Sequence, residues 1–81
     1  MLIRVKLFAV ARDLAGTSEL QLELPPNATV STLRAALSER VSTLSPLLSH
    51  MQIAVDSRYA TDGEPISPQS EVAVIPPVSG G

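Results

Sequence analysis

The residues of this sequence whose types could support chemistry form its last segment, Pro76-Pro77-Val78-Ser79-Gly80-Gly81. Proline has no N–H donor, so Pro76 is expected to end the apolar strand before it, and consecutive prolines favour an extended path. The two glycines have no Cβ to crowd the terminal carbonyl. Five residues of such a tail reach about 17 Å when extended. We therefore predict a thin tail that enters a narrow active site on another protein.

The same segment also has a simpler explanation. Paired terminal glycines arise by chance, and a glycine-rich end is typical of a frayed terminus. A C-terminal carboxylate is ionised at pH 7, and it is a poor electrophile until a better leaving group is attached. Taken alone, the tail favours this simpler explanation, so the rest of the sequence has to decide.

Composition narrows the class of protein. The 81 residues are enough for one small domain with an aliphatic core, since Phe8 and Tyr59 are the two aromatic residues. The absence of cysteine excludes a disulfide framework, a thiolate metal site and a catalytic thiol, and it favours the cytoplasm. A net charge of −2 with scattered basic residues argues against a nucleic-acid partner. No apolar run approaches a membrane span, and the lone His50 makes a metal site improbable.

The first part of the chain is predicted to form a β-hairpin. Residues 2–9 alternate, so that an apolar face ending at Ala9 should meet the core, while Phe8 shares the other face with charged residues. Residues 10–16 predict one helical turn or a loop closed by Gly16. Residues 17–24 alternate again and predict a second, antiparallel strand.

The second part predicts a helix followed by three strands. Thr29 is a candidate N-cap for a helix over residues 30–41, with Arg34 on its outer side. Ser45-Pro46 indicates another helical turn. Ile66 is predicted to be buried. Strands are expected at residues 51–56, 58–60 and 71–75.

This order of elements predicts an α+β fold in which one main helix packs across a mixed sheet. If the last strand lies parallel to the first, the arrangement is a β-grasp, as in ubiquitin. We expect one β-grasp domain over residues 1–75 and an extended tail over residues 76–81.

Three stretches resemble the ubiquitin-like sulfur carriers, and most closely the small subunit of molybdopterin synthase. They are Leu7-Phe8-Ala9 with the following Ala11-Arg12-Asp13-Leu14-Ala15-Gly16, then Ala54-Val55-Asp56, and finally Glu71-Val72-Ala73 leading to the Pro-Pro-Val-Ser-Gly-Gly end. The chain departs from the family at Pro68-Gln69-Ser70, where Asp-Gly-Asp is usual, and at Ile75, where an aromatic residue is frequent.

The resemblance implies a chemistry for the tail. An E1-like adenylyltransferase uses ATP to adenylate Gly81, and a sulfur donor converts the adenylate to a thiocarboxylate, with Gly80 providing flexibility. The sulfur then passes to precursor Z, a cyclic pyranopterin monophosphate, inside the large subunit of molybdopterin synthase. The chain alone is then not an enzyme, and it needs no permanently bound cofactor or metal.

The resemblance also implies a docking surface for the large subunit and the adenylating enzyme. Phe8, Tyr59 and Ile75 are its predicted apolar members, although Ile75 is equally compatible with the core. Arg12 could pair with a partner carboxylate, or it could simply be solvated. The tail residues from Pro76 to Ser79 are predicted to contact the partner.

Alternative functions stay open at this point. The chain could carry sulfur for thiamine synthesis or tRNA thiolation, or it could be a ubiquitin-like interaction module with an inert tail. It could also be a modifier that joins its C-terminus to lysines of other proteins.

Overall fold

The computed structural model describes residues 1–77. Its helices and strands, in chain order, are β1 (Leu2–Leu7), α1 (Ala9–Ala15), β2 (Glu19–Glu23), α2 (Val30–Arg40), α3 (Ser45–Leu48), β3 (Gln52–Val55), β4 (Arg58–Tyr59) and β5 (Val72–Ile75). The predicted tail residues Val78, Ser79, Gly80 and Gly81 lie outside the described residues.

The five strands form one mixed sheet in the order β2-β1-β5-β3-β4. β1 and β2 make the predicted antiparallel hairpin. β5 inserts beside β1 in parallel and pairs with β3 on its other edge in antiparallel orientation. This parallel contact is the one on which the β-grasp prediction depended, and the α+β class is confirmed.

The core lies between one face of the sheet and helix α2. Alternation places Ile3, Val5 and Leu7 of β1 on this inner face, where all three are buried. Helix α2 contributes Val30, Leu33 and Leu37, which recur at helical spacing. The core is aliphatic, as the composition predicts, and the buried residues among 1–77 include no polar or charged side chain.

Strand β1 ends two residues earlier than predicted. The predicted strand reached Ala9, and the prediction that Ala9 faces the core was wrong. Ala9 has a φ of 52° and is exposed, and it begins helix α1. A left-handed residue at this point turns the chain out of the strand direction. Gly16, with a φ of 74°, ends the helix as predicted and donates its N–H to the carbonyl of Arg12 at 2.9 Å.

Helix α2 begins at the predicted cap. The Thr29 side chain accepts the N–H of Thr32, and the Thr32 hydroxyl accepts the N–H of Thr29 in return. This reciprocal pair satisfies two backbone donors at the helix start. The predicted turn at Ser45-Pro46 forms α3, Ile66 is buried, and His50 is exposed.

The outward placement of Arg34 was wrong. Its side chain is only 22% exposed and forms an ion pair with Asp62 at 3.0 Å from Nε. Its terminal nitrogens donate to the carbonyl oxygens of Leu48 at 2.6 Å and Met51 at 2.9 Å. One guanidinium therefore connects α2 to the end of α3, the start of β3 and the Asp62 turn.

Residues 1–77 contain neither a membrane-spanning helix nor a cluster of metal-binding side chains. No helix there has the length and apolar character to cross a bilayer. No three His, Asp or Glu side chains in that range are grouped closely enough to hold a metal ion.

Candidate functional site

The tail leaves the protein from a central strand of the sheet. β5 is hydrogen-bonded to β1 on one side and β3 on the other, and its last residue is Ile75. Pro76 follows directly, so the predicted end of pairing at this proline is confirmed. Pro76 is half-buried and Pro77 is exposed. The segment predicted to be reactive is thus attached to a strand that is held on both edges.

The outer face of the sheet, opposite helix α2, has a defined composition beside the tail. Strand register aligns one residue from each strand across this face. In sheet order this row is Glu19, Lys6, Ala73, Ala54 and Tyr59. Its middle positions are alanines, so the surface is shallow there and is bordered by larger side chains on both sides.

A groove of roughly 430 Å³ lies over this row. Its apolar surface comes from Tyr59, Ile75 and the two alanines, and Lys6 and Arg58 bring charge to it. Tyr59 is 66% exposed, although a large aromatic side chain is usually buried. Ile75 is half-buried and lines the groove, which places it on the outer face rather than in the core.

The position of Tyr59 depends on a tight turn between β3 and β4. Asp56 and Ser57 both have positive φ values, 52° and 70°, as a two-residue hairpin turn of type I′ requires. The Asp56 carboxylate accepts the N–H of Glu71 at 2.9 Å, and the Asp56 N–H donates to the Glu71 carbonyl at 2.9 Å. The turn is therefore tied to the residue that precedes β5.

Arg58 forms a paired contact beside Tyr59. Its two terminal nitrogens lie 2.8 Å and 2.5 Å from the carboxylate oxygens of Glu64. The side-chain hydrogen bond to Glu64, and then the negative charge of that carboxylate, raise the pKa of the Arg58 guanidinium above its usual value. Because Glu64 engages Arg58 with both oxygens, it orients this side chain at the rim of the groove.

Phe8 and Arg12 line a second, smaller groove of roughly 250 Å³. Phe8 is 48% exposed. It was predicted to lie in the first strand, but it is instead the N-cap residue of α1. Arg12 is exposed and lies 3.7 Å from Asp13, a weak surface pair. Lys6 lines both grooves and so lies between Phe8 with Arg12 on one side and Tyr59 with Ile75 on the other.

The structure thus shows that Phe8 and Tyr59 are both exposed, which the sequence left open, and their contact with a partner stays a prediction. Lys6, Ala54 and Ala73 are members of this surface that the sequence analysis missed. The alternation of β1 placed Lys6 on the outer face, but it could not show which residues of β3 and β5 stand beside it.

The family model described as the ThiS family matches residues 5–81. Two relatives named "Molybdopterin synthase sulfur carrier subunit" align with essentially the whole chain. That of Arabidopsis thaliana is 35% identical over 79 residues, which cover 98% of this chain and 82% of the relative. That of Chlamydomonas reinhardtii is 34% identical over 83 residues and covers both chains completely.

Solved structures share the architecture. A putative molybdopterin converting factor, subunit 1, from Pyrococcus furiosus superposes with a TM-score of 0.88 at 31% identity, over 96% of this chain and 99% of that one. The small archaeal modifier protein 1 of H. volcanii superposes with a TM-score of 0.85 at 26% identity, over 95% and 98%. The last strand of the sheet is inserted parallel to the first, and the outer face beside the tail is exposed. Together with a match over nearly the full length, these features establish that this chain is a member of the ThiS family with a ubiquitin-like β-grasp fold.

Proposed function

We propose that this protein is the sulfur carrier subunit of a molybdopterin synthase. The observation that carries the proposal is the likeness, over essentially the entire chain, to relatives named for that role. The position of Pro76 directly after a central strand supports it, because the segment that follows is then attached to a strand that is held on both edges.

In this proposal the Gly81 carboxylate is the reactive group. An E1-like adenylyltransferase transfers an adenylyl group from ATP to it, which supplies the leaving group that a carboxylate lacks. A sulfur donor replaces the adenylate and leaves a thiocarboxylate, a soft nucleophile comparable to a thiolate. This sulfur is donated to precursor Z inside the large subunit, and the carrier itself keeps no cofactor. We also propose that the reaction takes place in the cytoplasm, the compartment that a cysteine-free chain favours.

Intact mass spectrometry tests the chemistry directly. The protein is incubated with ATP, a sulfur donor and the adenylating enzyme of its host. We expect a mass gain equal to the difference between one sulfur and one oxygen atom, mapped to Gly81. If the mass does not change while the same enzyme activates a known carrier, the proposal is wrong and a plain ubiquitin-like interaction module is the better explanation.

The outer face is proposed as the surface that docks on the large subunit. Tyr59, Ile75 and Phe8 provide apolar contacts there, with Arg12 beside Phe8, and Pro76 to Ser79 continue the contact into the partner's active site. Exposed apolar groups beside a functional segment mark interfaces, and a few aromatic residues usually carry most of the binding energy.

Tyr59→Ala is expected to weaken binding to the large subunit by about tenfold or more, since an aromatic anchor would be lost. Stability should change little, because the side chain is 66% exposed. Leu47→Ala is the matched control: Leu47 is also exposed, at 39%, but it lies on α3 and lines neither groove. Isothermal titration calorimetry with the large subunit gives both affinities. Equal affinities for the two variants would contradict a docking role for Tyr59.

A further inference from the structure

The place of Tyr59 on the outer face depends on the backbone that carries it. Its side chain is 66% exposed, so packing of the ring does little to fix its position. It belongs to β4, a strand of two residues at the edge of the sheet, next to β3. Whatever holds the β3–β4 hairpin against the rest of the sheet therefore also places Tyr59 relative to β5.

The ladder between β3 and β5 continues for one further step at the turn of this hairpin. The register that pairs Val55 with Val72 places Asp56 opposite Glu71. The Asp56 N–H donates to the Glu71 carbonyl at 2.9 Å, as an antiparallel ladder requires. In the return direction the Glu71 N–H donates to the Asp56 carboxylate at 2.9 Å, where a regular ladder uses the backbone carbonyl. A side-chain oxygen thus takes the place of a main-chain oxygen.

The conformation of Asp56 explains this replacement. Its φ of 52° starts the two-residue turn and takes the backbone out of the strand direction. An aspartate tolerates such a φ, and its short side chain can accept a hydrogen bond from a nearby backbone N–H. The carboxylate therefore extends the ladder past the point where the backbone leaves it. It ties the turn of the hairpin to Glu71, the residue directly before β5.

A second restraint acts on the same hairpin from another direction. Arg58 pairs with both carboxylate oxygens of Glu64, and the Glu64 carbonyl accepts the N–H of Val30 at 3.0 Å. This restraint connects the hairpin to the start of α2, whereas Asp56 connects it to β5. Loss of the Asp56 carboxylate should therefore loosen the hairpin relative to β5 without releasing it completely.

We propose that Asp56 is a positioning residue for docking on the large subunit: its carboxylate holds the hairpin against Glu71 and so fixes Tyr59 relative to Ile75 across the groove. The inference rests on the proposed function, because that function supplies the docking partner. Asp56 acts through Tyr59 and needs no contact with the partner. An anchor that is already in place loses less conformational freedom on binding, so loss of the carboxylate lowers the affinity although no contact is removed.

Two variants separate the side-chain acceptor from the backbone turn. Asp56→Gly keeps the positive φ and removes the acceptor. Asp56→Asn suits the same φ and keeps an acceptor oxygen, but it removes the negative charge. Circular dichroism and thermal melting check that both variants are folded.

Amide hydrogen exchange of the carrier alone tests the hold on the hairpin. The reporters are the N–H of Glu71 and the N–H of Ala60, which donates to the Ile53 carbonyl at 2.9 Å. In Asp56→Gly both should exchange about tenfold faster, because the hairpin opens more often. The Leu33 N–H, inside α2, is the internal reference and should not change. Unchanged exchange at Glu71, or an equal increase at Leu33, would overturn the inference.

Calorimetry with the large subunit tests the consequence for docking. We expect Asp56→Gly to bind about fivefold more weakly and Asp56→Asn to bind within about twofold of the unaltered chain. In a Tyr59→Ala background Asp56→Gly should cause no further loss, because the two residues act as one unit. An equal loss in both backgrounds, or an Asp56→Asn variant as weak as Asp56→Gly, would contradict positioning through Tyr59.

The two kinds of failure are distinguishable. If the unaltered chain does not bind the large subunit and gains no sulfur, the proposed function is wrong, while hydrogen exchange still reports on the hairpin without any partner. If the unaltered chain binds and Asp56→Gly binds equally well, the proposed function stands and the role of Asp56 is wrong.

Discussion

Deletion of Gly81 is expected to abolish sulfur transfer and to leave the stability of the fold unchanged. The deletion moves the terminal carbonyl back by about 3.4 Å. A displacement of only about 1 Å at a reacting centre can reduce a rate by about a hundredfold, so the shortened tail should give no detectable product. The core is not expected to depend on Gly81, because strand β5 ends at Ile75 and the buried residues found among residues 1–77 all precede Ile75.

Three measurements separate the loss of chemistry from loss of folding or binding. Mass spectrometry follows thiocarboxylate formation, product analysis follows sulfur transfer, and calorimetry follows binding to the large subunit. Ser79→Gly is the control, since it keeps the tail length and both glycines, and it should retain measurable transfer. If the deletion variant still transfers sulfur at a rate near that of the intact chain, Gly81 is not the carrier residue.

Arg34→Ala is expected to lower the free energy of unfolding by about 2–4 kcal/mol. The substitution removes the hydrogen bonds to the Leu48 and Met51 carbonyls and the ion pair with Asp62. Part of this cost arises because the two carbonyl oxygens lose a charged donor in a partly buried position. For a domain of this size the melting temperature should fall by on the order of 10 °C or more.

Arg40→Ala is the matched control for Arg34. Arg40 lies on the same helix and donates one exposed hydrogen bond to the Gln21 carbonyl at 3.1 Å, so its removal should cost less than about 1 kcal/mol. Arg34→Lys should fall between the two, because an ammonium cannot reproduce the planar arrangement of three donors. Urea titrations give all three values. Similar losses for Arg34→Ala and Arg40→Ala would show that the connection through Arg34 contributes little.

The sequence predicted the elements that depend on local patterns. Alternation revealed the β1–β2 hairpin, helical spacing with Thr29 revealed α2, and Pro76 marked the end of the last strand. Each of these features is decided by the period of apolar residues or by the geometry of one residue type. The resemblance to sulfur carriers likewise rested on short contiguous stretches.

Two errors show where local patterns fail. Ala9 continues the alternation of β1, but the chain turns there through a left-handed φ that alanine seldom adopts, so residue type could not predict it. Arg34 lies at a position of α2 that is polar by spacing, yet two carbonyls and a carboxylate from later segments partly bury its guanidinium. The burial of Arg34 therefore depends on groups that are distant in the sequence.

The sequence by itself determined an aliphatic α+β domain and a tail whose residue types suit an activated carboxyl group. Only the tertiary structure decided which side chains surround the start of that tail. The row from Glu19 through Lys6, Ala73 and Ala54 to Tyr59 exists because backbone hydrogen bonds set the register of five strands, of which β1 and β5 are neighbours in the sheet but far apart in the chain. A shift of one residue in any strand turns its side chains to the opposite face, and no local pattern of residues specifies that alignment across the whole sheet.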